Sequence, residues 1–155
     1  MSEEGAKIAV IGLGNAGLPL AAVVADSGIA VMGVDINEER CRQINRGENP
    51  IPEEAGLEEL IKLHGGKRLV ATPRFEDASG CSTYIVIVPV FVDSGNNPDF
   101  SIMEKALHSL GKILKKKDLV VLETTFPPGT TEGMAANRLC ESSGLSESDF
   151  FLAYS

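Results

Sequence analysis

Three glycines, Gly12, Gly14 and Gly17, stand in a GxGxxG spacing. They follow the apolar run Lys7 to Ile11 (KIAVI) and open the alanine-rich run Ala16 to Ser27. That context gives each glycine a task. Gly12 permits a tight turn, Gly14 lets a pyrophosphate approach the backbone, and Gly17 lets helix and strand pack closely. The free N–H groups and positive dipole end of the helix then hold the phosphates, with contacts expected from Gly12, Leu13, Gly14, Asn15, Ala16 and Gly17. An acid, Asp35, ends the next apolar run, at about the 20-residue separation at which such an acid bonds the adenine ribose hydroxyls. It would repel a 2′-phosphate, which favours NAD over NADP. Ile36 and Arg40 are expected beside it, and Arg40 tempers the preference, since a nearby arginine can serve a phosphate. The plainer alternatives are a glycine turn used only for packing and an Asp35 that caps the next helix.

Two further segments stand where ligands gather in a parallel sheet, just past strand ends. Val88, Pro89 and Val90 follow the most apolar run of the chain, Tyr84 to Val88, and lie either beside the cofactor or on an ordinary strand exit. Glu123, Thr124 and Thr125 follow Leu119 to Leu122 and lead into the stiff turn Phe126-Pro127-Pro128-Gly129. Their hydroxyls either face nicotinamide and a catalytic water or cap local backbone.

The elements that must carry these residues alternate. Strands are predicted at 7–11, 29–34, 69–71, 84–88, 119–122 and 150–153. Helices are predicted at 16–27, 37–45, 57–64, 102–115 and 131–143. Pro19 falls in a first helical turn, where its missing N–H does no harm. Asn37 is a helix cap with Glu38 and Glu39 behind it, and Thr130 or Thr131 is expected to cap the last helix. Apolar strands alternating with helices imply an α/β fold, a Rossmann-type doubly wound parallel sheet. A length of 155 residues suits a single domain spanning 1–155.

Composition narrows the partners. The net charge of −8 argues against nucleic acid or an anionic membrane surface, which want a basic face. It does not forbid a phosphorylated ligand held by backbone N–H groups. Residues 1–5 do not read as a signal peptide, and no apolar run is long enough to span a bilayer. Cys41, Cys81 and Cys140 are widely spaced and read as buried structural thiols in a reducing cytoplasm. With only His64 and His108 beside them, no metal set is expected. Both histidines read as surface or helix-face residues, and Lys115 to Lys117 as a solvated helix end.

Several blocks, in order, resemble the UDP-glucose/UDP-N-acetylmannosamine/GDP-mannose dehydrogenase family. They are VIGLGNAGLPLA (10–21), GVDINEERCRQINRGENPIPEEAGLEEL (33–60), NNPDFS (96–101), VVLETTFPPGTTEGMA (120–135) and FFLAYS (150–155). The loop after Arg46 and the Glu-Thr-Thr turn lean toward the UDP-N-acetylmannosamine branch. The resemblance implies an enzyme that oxidises a UDP-sugar 6-hydroxyl to a carboxylate in two NAD steps, through a thiohemiacetal and a thioester on a cysteine. It places that cysteine, a lysine, an asparagine, an aspartate and a glutamate outside this chain, together with a central helix and the sugar-binding domain. Of the family's catalytic residues it carries only the threonine over, onto Thr125. It also implies a homodimer for the full-length enzyme and a monomer for a piece ending at Ser155. The chain departs from the family pattern at Asn15, where an aromatic residue is usual, at Val90-Phe91, where Thr-Pro is usual, and at Ala55, where proline is usual.

Two other readings share the first turn. One is another hydroxyacid-type or 6-phosphogluconate-type dehydrogenase, whose pattern has nothing like the 46–56 loop. The other is a non-enzymatic NAD-sensing module.

Overall fold

The computed structural model describes residues 8–155; Lys7 of the first predicted strand and residues 1–5 lie outside them. Six strands form one parallel sheet: β1 (Ile8–Ile11), β2 (Val31–Val34), β3 (Leu69–Thr72), β4 (Thr83–Val86), β7 (Leu119–Leu122) and β8 (Phe151–Tyr154). Their order is β3-β2-β1-β4-β7-β8. The chain thus winds outward from β1 in one direction and then restarts on its other side with β4. The ends of β1 and β4 flank the switch point, where a crevice must open. Two short strands, β5 (Phe91–Val92) and β6 (Pro98–Asp99), make a separate antiparallel hairpin.

Residues alternate between two cores. On one face α1 (Gly17–Asp26), α2 (Glu38–Asn45) and α3 (Leu57–His64) bury Val10, Leu13, Leu18, Val31, Ile44, Ile61 and Leu69. On the other, α4 (Ser101–Gly111) and α5 (Ala136–Ser143) bury Ile11, Tyr84, Val86, Leu107, Leu110, Val120, Leu122 and Leu139. Burial of apolar surface, at ~25 cal/mol per Å², drives this layering. The expected two-sided burial holds for β1 and β2 and not for β4, β7 and β8. Ile85, Val121 and Ala153 are only half-buried, because α1 reaches no further and no later helix among the described residues crosses to that face.

Several boundaries differ from the sequence expectation for local reasons. Sheet pairing of β4 stops at Val86, not Val88, although Ile87 N–H still donates to Ile11 O at 2.9 Å; Pro89 then has no N–H to continue a ladder. Helix α4 ends at Gly111, not Lys115. There the chain runs close against α5, and a Cβ at Gly111 would collide with the Cβ of Ser142. The last helix is capped by neither threonine. It opens with a π-turn over Thr131–Ala135, and Thr130 Oγ1 donates to Pro127 O at 2.7 Å. The hairpin was not expected. Its turn is held by Asp93 Oδ1, which accepts from the Gly95 and Asn97 amides, while Asn96 takes a positive φ of 62°.

Other expectations need correcting. His64 is buried, and its Nε2 lies 2.9 Å from Asp26 Oδ1, joining the ends of α3 and α1 across 38 residues. Lys115 is not a free solvated end. Its Nζ donates to Ser79 O and Cys81 O at 2.8 and 2.9 Å and pairs with the buried Asp118. Asn37 does cap α2, its Oδ1 accepting from Arg40 N–H at 3.0 Å.

The tightest packing lies where α1 leaves the first turn. A Cβ on Gly17 would lie far inside van der Waals contact distance of Gly12 O. Gly17→Ala is therefore expected to destabilise the fold by about 1–3 kcal/mol through overpacking, read as a lower urea midpoint at unchanged m-value.

Candidate dinucleotide site

Parallel strands all end on one edge, and hydrogen bonds level their exits. Gly12 N–H donates to Val34 O (2.7 Å), Asp35 N–H to Thr72 O (3.1 Å), Ile87 N–H to Ile11 O (2.9 Å), Glu123 N–H to Val86 O (2.9 Å) and Ser155 N–H to Leu122 O (3.1 Å). Each residue is the first past its strand. One row of residues therefore crosses the sheet edge, and the loop after each strand projects beyond it.

A hollow of about 630 Å³ opens there, at the switch point. Gly14, Asn15, Ala16, Val88, Pro89, Glu123, Thr124 and Thr125 line it, with Ile87, Tyr154 and Ser155. Eight of the expected site residues thus meet in one place. Gly12 and Gly17 shape the turn beneath it. Val90 is outside the lining, because the chain turns away after Pro89 into the hairpin. Asp35 and Arg40 sit at the end of β2 and in the first turn of α2, to one side of the hollow. Ile36 beside them is 89% exposed. Ile87, Tyr154 and Ser155 were missed; their signal was only that each lies at or just past the C-terminal end of a parallel strand.

The glycine turn divides its work between fold and ligand. Gly12 has φ +100°, and a Cβ there would lie 2.7 Å from Ile87 O. Gly17 abuts Gly12. Gly14 differs: a Cβ there would meet nothing within 4 Å, so the protein itself does not require glycine. The space in front of Gly14 is open to the hollow. The N–H groups of Asn15, Ala16 and Gly17 go to no acceptor among the described residues. They precede the first helical bonds of α1, where an anion is favoured by both the amides and the helix dipole.

Asp35 is buried, with its side chain 7% exposed. Its Oδ2 accepts from Leu13 N–H at 2.8 Å and from Arg40 Nη1 at 3.2 Å, and its Oδ1 accepts from Asn37 N–H at 2.8 Å. At the far side of the hollow, the turn after Thr125 is braced by aromatic rings. Phe126 lies 6.0 Å from Phe100 and 6.2 Å from Tyr154, centroid to centroid. Thr125 is exposed toward solvent and Thr124 half-buried, and neither hydroxyl is engaged in a hydrogen bond among the described residues. A neighbouring groove of about 640 Å³ shares Tyr154 but is lined by Glu132 and Glu147 and by no glycine-turn amide. Its charge is wrong for a phosphate.

These features define a Rossmann-type dinucleotide-binding domain, with free amides at the switch point and an acid at the end of β2. Residues 6–155 match the family model described as "UDP-glucose/GDP-mannose dehydrogenase family, NAD binding domain", and the chain belongs to that family. It is 42% identical to the UDP-N-acetyl-D-mannosamine dehydrogenase of Pyrococcus horikoshii, over 96% of this chain and 35% of that protein. It is 39% identical to the UDP-N-acetyl-D-glucosamine 6-dehydrogenase of Pseudomonas aeruginosa, over 96% of this chain and 34% of that protein. The crystal structure of an NDP-N-acetyl-D-galactosaminuronic acid dehydrogenase from Methanosarcina mazei superposes with a TM-score of 0.87 at 39% identity, covering 96% of this chain and 34% of that one. The chain therefore spans about a third of the length of the relatives it matches. The match extends through the 46–56 loop, which favours this family over the other dehydrogenase readings.

No helix of the described residues is long and apolar enough to cross a membrane, and no group of three or more metal-ligating side chains occurs among them. Cys41 and Cys81 are buried, and Cys140, expected to be buried too, is half-exposed. Burial pushes all three thiols up, Cys81 to about 11. None lines the hollow. Cys81 therefore holds far less thiolate at pH 8 than an ordinary cysteine. Dithionitrobenzoate should accordingly label Cys140 first and Cys81 last in the native chain, and all three alike in urea, with mass spectrometry assigning the sites.

Proposed function

We propose that this chain is the cofactor-binding part, residues 1–155, of a longer nucleotide-sugar 6-dehydrogenase. The observation that carries the reading is the open space at Gly14, facing unpartnered amides at the start of α1, with Asp35 at the end of β2. In this reading the pyrophosphate of NAD lies against Gly14, Asn15 and Ala16. The adenosine extends toward Asp35, Ile36 and Arg40, where the carboxylate takes a ribose hydroxyl and Arg40 offsets part of its charge. The nicotinamide end reaches the pocket of Val88, Pro89, Glu123, Thr124 and Thr125, with Val90 at its rim. When bound, NAD supplies the hydride acceptor. The chain's own part is to orient it: Ile87 and Pro89 exclude water from one side, and the hydroxyls of Thr124 and Thr125 offer hydrogen bonds to ligand or water on the other.

The substrate comes from the relatives' names. They act on UDP-N-acetyl-D-mannosamine and UDP-N-acetyl-D-glucosamine. We assign this protein the oxidation of a UDP-sugar 6-hydroxyl to the carboxylate, with two NAD reduced per sugar and UDP-N-acetylmannosamine or UDP-glucose as substrate. Thr125 is the one candidate catalytic residue in the chain. Thiol and sugar site belong to the further two-thirds of length that the relatives possess. A homodimer for the full-length enzyme and a reducing cytoplasm, which suits three unpaired cysteines, complete the reading.

Calorimetric titration should show NAD binding and NADP binding at least about tenfold more weakly, a difference of ~1.4 kcal/mol. A folded chain that binds neither would overturn the assignment. Gly14→Ala separates fold from ligand. Its unfolding free energy should stay within about 0.5 kcal/mol of the parent, while NAD affinity falls at least about tenfold, because the new methyl occupies the phosphate's place.

A further inference from the structure

The first turn is stapled to β2 at three points. Gly12 N–H donates to Val34 O at 2.7 Å. The Leu13 side chain, fully buried, lies across Gly33, where a Cβ would come within 2.7 Å of Leu13 Cδ1. The Leu13 amide donates to Asp35 Oδ2 at 2.8 Å. Two of these attachments need only backbone and packing. The third needs a particular side chain, placed 22 residues away in sequence.

We propose that Asp35 is a positioning residue for the pyrophosphate end of the site as well as a ligand of the ribose. This inference rests on the dinucleotide reading above. An amide donated to a carboxylate is a charge-assisted bond, about twice as strong as a neutral one. Without Asp35 the Leu13 N–H would be left buried without a partner, which carries a full desolvation penalty. The turn would answer by shifting, and Gly14, Asn15 and Ala16, the next residues, would move with it.

The same carboxylate also ties down the other side. Asn37 N–H and Arg40 Nη1 bond to it at 2.8 and 3.2 Å, so one side chain joins the start of α1 to the start of α2. A carboxylate has about four acceptor positions, and three are filled here. The incoming ribose hydroxyl takes the fourth or displaces Arg40, whose bond is the longest of the three. The Leu13 bond stays. Ribose binding and turn geometry are thereby joined in one group, and loss of Asp35 reaches phosphates that it never touches.

The test compares ADP with 2′,3′-dideoxy-ADP, which keeps the pyrophosphate and offers Asp35 no ribose hydroxyl. Calorimetry is run on the parent chain, Asp35→Ala and Asp35→Asn, with hydrogen exchange at the Leu13 amide followed by NMR. Asp35→Ala should lose at least about fivefold in affinity for dideoxy-ADP as well as for ADP. Its Leu13 amide should exchange at least about tenfold faster. Asp35→Asn, whose amide oxygen can still accept from Leu13, should recover most of the dideoxy-ADP affinity and the slow exchange. If Asp35→Ala binds dideoxy-ADP as the parent does, with unchanged Leu13 exchange, the positioning role is overturned and Asp35 acts on the ribose alone. If the parent binds neither nucleotide, the dinucleotide reading fails, and the Leu13 exchange rates still decide whether Asp35 holds the turn. Should Asp35→Ala not fold, the parent alone suffices: its Leu13 amide must exchange slowly, and exchange at the rate of a solvent-exposed amide would overturn the bond.

Discussion

Helix α1 begins so close to β1 that only hydrogen fits between them. Gly17 stands against the carbonyl of Gly12, and Gly12 in turn stands against the carbonyl of Ile87, just past β4. This three-way approach of turn, helix and neighbouring strand sets the height and direction of α1 over the sheet. The amides of Asn15 and Ala16 aim at the switch point because of it. A side chain at either glycine would lift the helix, and the amides with it, away from the crevice. The packing is part of the core, since Leu18, Ala21, Ala22 and Ala25 bury the face of α1 that the approach presents.

The other residues of the site are held by something more general. Parallel strands in register end at a common level, and the main-chain bonds that continue one residue past each strand carry the register into the loops. Asp35, Ile87, Glu123 and Ser155 owe their places to this lacing. It brings together residues separated by most of the chain, using backbone groups that any sequence has. Side chains then select what the edge can hold: an acid at β2, small apolar groups at β4, hydroxyls at β7 and an aromatic brace of Phe100, Phe126 and Tyr154 beyond it. The half-covered outer face of β4, β7 and β8 is a further consequence of topology, since every described connection after β4 passes on the same side.

Much of this was legible in the residues. The GxGxxG turn, the strands feeding it, the asparagine cap of α2 and the acid ending β2 are local patterns whose physical reasons act within a few residues. The 91–99 hairpin was missed because its two-residue strands are too short to show a period, and its turn depends on Asp93 folding over its own loop. His64 and Lys115 were misread because their partners lie 34 to 38 residues away or across the sheet. An ionisable residue on a helix face looks solvated until its partner is known. The end of α4 was overrun because a helical apolar period continues through a glycine whose importance is its contact with α5.

By itself the sequence determined the alternation of strands and helices, the glycine turn between the first strand and helix, and the acid that ends the second strand. These follow from backbone sterics, hydrophobic periodicity and charge, all of which act locally. Only the tertiary structure decided which strand exits share one hollow, that Gly14 is free of the protein while Gly12 and Gly17 are not, and that Asp35 grips the Leu13 amide. Those are matters of distance between segments far apart in the chain, and distance is set by packing two cores against one twisted sheet.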